Sequence, residues 1–380
     1  MMTAVRIGLI ADTRSAYARA EVRGIIAYAR LNNLPWSFAG GMDSPATWRM
    51  LRRWKPQGII GITLERVLRS RVPAVKPLLP DPAGVAMLDN EAIGRMAAEH
   101  VLSRGFRHLA FVGERGADFS EDRGNGFQSQ WRCTCGDRPE ASFHRLNLPY
   151  EEGMDWHTHL AKLTPWLKSL PKPVGILAVR DQRAREVLQA CQAIHLRVPE
   201  DVAVVGVDND DLLCEMSDPP LSSVSVPWEQ IGHHMGASIQ RLLQGDARPR
   251  VPPLIAPGGV VVRRSSDVYA TADEAVVQAC RHIQEHASAA LTVETLARTA
   301  SVSRRGIERR FRKELGRSPR QEIELIRFRN AQHLLRETDL SMAAVSEQCG
   351  FTSCQRLIAV FRRRVGTTPS AYRATYRTRL

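Results

Sequence analysis

The feature that most constrains this chain is a change of apolar pattern near residue 265 of 380. Before that point, short β-branched runs alternate with longer stretches of helical periodicity; after it, every apolar pattern is helical. Alternation of this kind is the signature of βαβ units and a parallel sheet. Strands are expected at 5–11, 58–62, 85–88, 108–112, 175–179 and 202–207, with helices such as 91–104, 182–194 and 228–243 following most of them. The strand runs are almost continuously hydrophobic, so both faces of the sheet must be covered. About ten elements or more in that length suit two adjacent α/β lobes better than one long sheet.

A Pro- and Gly-rich stretch, Arg248 to Gly259, leads to a last apolar run, and residues 264–272 are polar without periodicity. The expected division is therefore 1–263, a linker at 264–272, and an all-helical domain at 273–380. Charge separates the two parts as well. The chain carries a net +13, and from Val268 onward there are about 20 Lys+Arg against 11 Asp+Glu, nearly all of the cations being Arg. Such asymmetry points to nucleic acid, and Arg suits phosphate and guanine edges through planar, paired donors. No run approaches the roughly 18 apolar residues of a membrane span, and the first apolar run is too short for a signal core, so a cytoplasmic protein is expected. The seven cysteines are scattered, without paired ligand spacing; no disulfide framework, metal site or cofactor is expected, Cys133-Thr-Cys135 being the only close pair.

In the helical part, Val293, Leu296, Ala297, Val302, Ile307 and Phe311 are spaced so that a short helix, a tight turn and a second helix pack together and leave the second helix's arginines outside. The pattern repeats over 340–364, where Gly350 supplies the turn and Ser353 is placed to cap the next helix. Between the repeats, 320–337 reads as one long amphipathic helix that fixes their separation. Cys349-Gly350-Phe351, Val360-Phe361-Arg362-Arg363 and Gly366-Thr-Thr-Pro369-Ser-Ala-Tyr372-Arg373 then resemble, in order, the closing motifs of the AraC family of transcription activators. The resemblance implies seven helices, with those beginning near Ser303 and Ser353 lying in the major groove of double-stranded DNA. The base-facing residues implied are Ser303, Arg304, Arg305, Glu308 and Arg309 in the first helix and Thr352, Ser353, Gln355 and Arg356 in the second, with Arg362 and Arg363 suited to phosphate. Glu308 has an alternative as the ion-pair partner of a neighbouring Arg, and Arg312, Lys313 and Arg364 as ordinary solvated residues. The second repeat departs from the family pattern at Arg356, Leu357 and Ala359.

In an open α/β sheet, ligands bind beyond the carboxyl ends of strands. Four aspartates stand there: Asp12, Asp89, Asp181 and Asp208. Carboxylates accept from adjacent hydroxyls and Arg donates in a fixed fork, so an Asp/Arg cluster with aromatics suits a sugar. For Asp89 and Asp181, helix N-capping is an equal alternative. Val202-Ala-Val-Val-Gly-Val-Asp208, Gly175-Ile-Leu-Ala-Val-Arg-Asp181 and Phe111-Val-Gly113 with Arg123-Gly-Asn-Gly-Phe127 resemble the effector domain of lac-repressor-type regulators and periplasmic sugar-binding proteins. Fused to an AraC-type domain, the arrangement resembles the xylose-operon activators across essentially the whole chain. The resemblance implies a two-lobed α/β sensor with parallel sheets and offers Asp12, Tyr17, Asp89, Arg123, Asp181 and Asp208 as contacts for a small sugar such as a pentose. The surroundings of Arg123 depart from the usual pattern, so the sugar need not be xylose. A homodimer, RNA polymerase as a further partner, and activation rather than repression are expected by the same analogy. A catalytic α/β domain is disfavoured, because there is no P-loop, G-x-G-x-x-G or G-x-S-x-G, and the turn after the first strand, Ala11-Asp-Thr-Arg14, has no glycine. A front half that serves only dimerisation is the remaining alternative.

Overall fold

The computed structural model describes residues 4–61, 72–75, 87–136, 138–149, 156–246, 253–271 and 273–376. Through residue 261 the elements run β1 (Val5–Ile10), α1 (Ala16–Leu31), β2 (Trp36–Gly41), α2 (Pro45–Trp54), β3 (Gly58–Gly61), β4 (Ala74–Val75), β5 (Met87–Leu88), α3 (Asn90–Leu102), β6 (His108–Arg115), α4 (Asp118–Cys135), β7 (Ser142–Pro149), α5 (Trp156–Ser169), β8 (Val174–Ala178), α6 (Asp181–Ala193), β9 (Val202–Asp208), α7 (Asp211–Glu215), β10 (Ser222–Ser225), α8 (Trp228–Leu243), β11 (Leu254–Ile255) and β12 (Gly259–Val261). Every expected strand is present; residues 62, 85 and 86 of the expected ranges lie outside the described residues.

Two units form. The first, Met1–Asp89 with Val226–Gly258, holds a parallel sheet in the order β2-β1-β3-β4 and the small β11-β5 pair. Ile10, Leu51 and Ile59 make part of its core, and helix α1 buries Ala18, Ile25 and Ala29. The second unit begins at Asn90 and holds a sheet in the order β12-β10-β9-β8-β6-β7. Its strands are parallel except β12, which runs against β10. All five residues of β8 are buried, because helices cover both faces of the sheet and its near-continuous apolar sequence satisfies both. Sequence order reverses beside β6, which has β7 on one side and β8 on the other. In open α/β sheets, ligands bind beyond the carboxyl ends of the strands at such a reversal.

Seven helices complete the second unit among the described residues: α9 (Glu274–Glu285), α10 (Val293–Thr299), α11 (Arg304–Leu315), α12 (Pro319–Glu337), α13 (Met342–Gln348), α14 (Cys354–Val365) and α15 (Pro369–Tyr376). Their starts follow the local chemistry. Ser303, Ser341 and Ser353 each accept a backbone N–H three residues on, and Ser318 forms a capping box with Gln321. Each such cap is worth about 1 kcal/mol. Two cores result, one around Leu296, Ile307 and Phe311, the other around Val345, Leu357 and Phe361. The long helix α12 serves both: Ile323 and Ile326 enter the first core, Phe328, Ala331 and Leu335 the second. Its apolar residues therefore occupy two faces, one turned to each core.

The tight turns also differ in residue type. Ser301 takes φ 52 in the first repeat and Gly350 φ 73 in the second. At Gly350 a Cβ would also lie 2.5 Å from the carbonyl oxygen of Ala287. Gly350→Ala is thus expected to destabilise the second repeat by about 1–2 kcal/mol from backbone strain alone, and more from the clash, read as a lowered midpoint in thermal unfolding.

Within residues 264–271, in the expected linker, Ser265, Ser266 and Tyr269 are buried and Arg264 and Asp267 exposed; residue 272 lies outside the described residues. Arg264–Ser266 form a 3-10 turn in which the hydroxyl of Ser265 donates to Val204 O (2.7 Å) and accepts from Ser222 N–H (2.8 Å). Tyr269 is buried, and its hydroxyl donates to Glu322 (2.7 Å). The segment looks polar in sequence because its hydroxyls are spent on such internal bonds. This is why the helical domain belongs to the same unit as the six-stranded sheet.

Candidate functional site

At the end of β9 the chain makes an abrupt turn. Asp208 and Asn209 have φ 107 and 53, two successive residues in a region that L-residues seldom adopt. Strain of this sort persists only where surrounding bonds enforce it, and it concentrates at functional positions. Ser223 accepts from Asn209 N–H (3.0 Å), and Asn209 Oδ1 accepts from Arg263 (2.9 Å). Asp181, 1% exposed, accepts from Ser223 Oγ (2.5 Å) and from the N–H of Asp210 (2.8 Å). Asp181 is the first residue of α6, whose N-cap is Arg180, so its carboxylate caps nothing and ties down the Asp208 turn. Burial, and then the neighbouring Asp208 charge, hold its carboxyl well above the ordinary carboxylate range.

Asp208 has the opposite character. Its Oδ1 is buried without a hydrogen-bond partner among the described residues. Burial raises its pKa to about 6, with Arg123 the chief opposing influence. Arg123, 4% exposed on α4, is fixed by Asn90 Oδ1 (2.9 Å from Nε) and Val179 O (2.6 Å from Nη1). Phe119 lies under its guanidinium at 5.2 Å. A held donor and an unsatisfied acceptor thus act on one another near the carboxyl end of β9, beside a second pair, Arg180 and the buried Glu114 (2.5 Å). Asn90, Glu114, Arg180, Asn209 and Arg263 were not singled out from the sequence. Only Glu114 and Arg180 carried a signal there, as strand-end residues.

The first unit holds the other three candidates. Asp12 is engaged by Arg14 through both oxygens (2.9 and 2.8 Å), a bond that lowers its pKa. Tyr17 packs against Trp228 with ring centroids 5.4 Å apart. Asp89 directly precedes α3, its N–H donating to Ile255 O (3.0 Å).

In the helical domain the arginines divide into free and held. Arg305 and Arg309 on α11, and Arg362 on α14, are exposed and in no ion pair among the described residues. Arg304 bridges Glu294 (2.5 Å) and Glu308 (3.3 Å), which realises the ion-pair alternative for Glu308. The hydroxyls of Ser303 and Ser353 are occupied as caps, while Thr352 and Gln355 are exposed. Leu357, which departs from the family pattern, is fully buried in the second core. Arg356 and Arg363, expected to touch DNA, both grip Glu324 on α12, Arg356 at 2.9 Å, and Arg364 stands 3.7 Å from the same carboxylate. Any DNA phosphate that binds these arginines must compete with that carboxylate. Glu324→Gln is therefore expected to raise affinity for a mixed-sequence duplex by roughly threefold or more in fluorescence anisotropy; unchanged affinity would mean that these arginines reach DNA without leaving Glu324.

No group of metal-ligating side chains and no helix long and apolar enough to cross a membrane occurs among the described residues. Comparison with known proteins agrees with this geometry. A periplasmic binding protein-like domain matches residues 98–266 and a helix-turn-helix domain residues 296–375. The chain is a DNA-binding transcription regulator in which a periplasmic-binding-protein-like domain precedes a helix-turn-helix domain. Along its length it resembles the xylose operon regulatory protein of Escherichia coli K12, with 29% identity over 97% of this chain and 96% of that one. The corresponding protein of Haemophilus influenzae is 29% identical over 97% and 98%. A solved structure of the xylose-binding transcription activator xylR superposes with a TM-score of 0.60 at 28% identity, covering 98% of both chains.

Proposed function

We propose that this regulator is controlled by a small neutral sugar of the pentose class, held by Arg123 and Asp208. The observation that carries the reading is the buried, unpartnered Oδ1 of Asp208 on a strained turn, close to an arginine fixed by two bonds. A hydroxyl both donates and accepts, so one sugar hydroxyl can donate to Asp208 while another accepts from Arg123. Asp181 ties down the turn that carries Asp208. Similarity to xylose operon regulators makes D-xylose the first sugar to try.

The same reading makes Arg305, Arg309 and Arg356 base readers and Arg362 and Arg363 phosphate contacts, with the DNA-binding domain beginning at Asp273. The protein works in the cytoplasm as a homodimeric activator that engages RNA polymerase, and it has no enzymatic activity. Isothermal calorimetry with D-xylose and a panel of other pentoses and hexoses tests the effector. Saturable binding of a pentose is expected, and heat-silent titrations across the panel would refute it.

A further inference from the structure

Helix α3 touches the candidate effector site at its first residue, and the residue that follows its last, Ser103, touches the DNA-binding domain. Asn90 begins it, and its side chain accepts from Arg123. The helix is about 20 Å long at 1.5 Å per residue. It has no play against α4: a Cβ at Gly94 would stand 2.0 Å from the carbonyl oxygen of Arg123, so the two backbones are in contact.

At the far end, the carbonyl of Ser103 accepts from Arg317, and its hydroxyl accepts from Arg329 (2.7 Å). Arg104, 2% exposed, accepts at its carbonyl from Ala270 N–H (2.7 Å). Arg329 belongs to α12, the helix whose Glu324 holds Arg356 and Arg363 of the second recognition helix. Bonded groups and rigid helices therefore connect Arg123 to the DNA-reading surface.

We propose that α3 and its Ser103–Arg104 corner form the coupling element through which effector-site occupancy and DNA binding influence one another, with Ser103 as the positioning residue at the junction. A polar seam suits this task. Hydrogen bonds weaken steeply with small displacements, whereas apolar packing is non-directional. The hydroxyl of Ser103 is the only hydrogen-bond acceptor of Arg329 among the described residues. Glu99, one turn earlier on α3, is in no ion pair among the described residues, and the charges of Arg329, Arg364 and Arg95 all act on its carboxyl. An exchange of Arg329 from Ser103 to Glu99 would supply the two discrete arrangements that coupling requires. This assigns the coupling to a helix of the sheet domain rather than to a flexible linker, and it holds whichever sugar is the effector.

Because coupling is reciprocal, DNA alone must be felt at α3. The test is hydrogen exchange of the peptide spanning residues 90–105, followed by mass spectrometry in the full-length protein with and without a mixed-sequence duplex at low salt. The duplex is expected to change exchange there by about fivefold in the wild type. In Ser103→Ala and Arg329→Gln the change disappears, while duplex affinity measured by anisotropy in Ser103→Ala stays within about twofold. Ser103→Ala is the decisive variant, since it removes one hydroxyl without leaving a bulky gap. Binding to the duplex with no change at α3, or a full change retained in Ser103→Ala, overturns the inference alone. Failure to bind any duplex overturns the regulator reading and this inference together.

Discussion

Asp208→Ala is expected to weaken sugar binding by tenfold or more while leaving DNA affinity in the absence of sugar unchanged. The substitution removes an acceptor that sugar hydroxyls need once desolvated, at a cost of about 1–3 kcal/mol, and each 1.4 kcal/mol is about tenfold. The turn itself remains tied by Asp181, Ser223 and Asn209, so the loss should be local. The pH dependence gives a second readout. Asp208 ionises near 6, and a sugar hydroxyl donates to the ionised form. Wild-type affinity should therefore be full above that value and decline as pH falls through it. Asp208→Asn should flatten the profile. Calorimetry across pH measures both, and an unchanged dissociation constant in Asp208→Ala would remove this residue from the effector site.

The second large effect is expected at Glu322, which is fully buried where the helical domain meets residues 264–271. It accepts from the Tyr269 hydroxyl and pairs with Arg317, which in turn donates to Ser103. Glu322→Ala leaves a cation and a phenol without their partner, and breaking a buried pair from one side costs about 3–5 kcal/mol. That is a large part of the 5–15 kcal/mol typical of a folded domain. Tyr269→Phe removes only one donor and should cost about 1–2 kcal/mol. Denaturant unfolding of both variants orders the two effects; a wild-type midpoint for Glu322→Ala would mean that the junction is not held by this network.

How far the sequence could be read depended on where each residue's partners lay. The central strands β1, β6, β8 and β9 were legible because burial on both faces demands continuous apolar runs. Strands β2 and β7 were not: both are edge strands, largely half-exposed, with sequences such as Ser142-Phe-His-Arg-Leu-Asn that carry no strong apolar signal. The paired helix-turn-helix units were visible from their turns and caps, which are local. Asp208 and Arg123 stood out through their surrounding motifs, yet the bonds that fix Arg123 come from Asn90 and Val179, far away in sequence. For the same reason Arg356 and Arg363 looked free, since Glu324 lies more than thirty residues before them. Burial of polar residues was likewise hidden from the sequence: within 264–271, Ser265, Ser266 and Tyr269 are polar in composition and buried in fact.

The central claim is that sugar occupancy at Asp208 alters DNA binding. It is tested most directly by an anisotropy titration on a duplex selected from a random library by the wild-type protein, run with and without the sugar that calorimetry identifies. The account predicts that sugar shifts the wild-type affinity by at least about fivefold and leaves Asp208→Ala unmoved at the same sugar concentration. Superimposable wild-type isotherms with and without a sugar that demonstrably binds would contradict it.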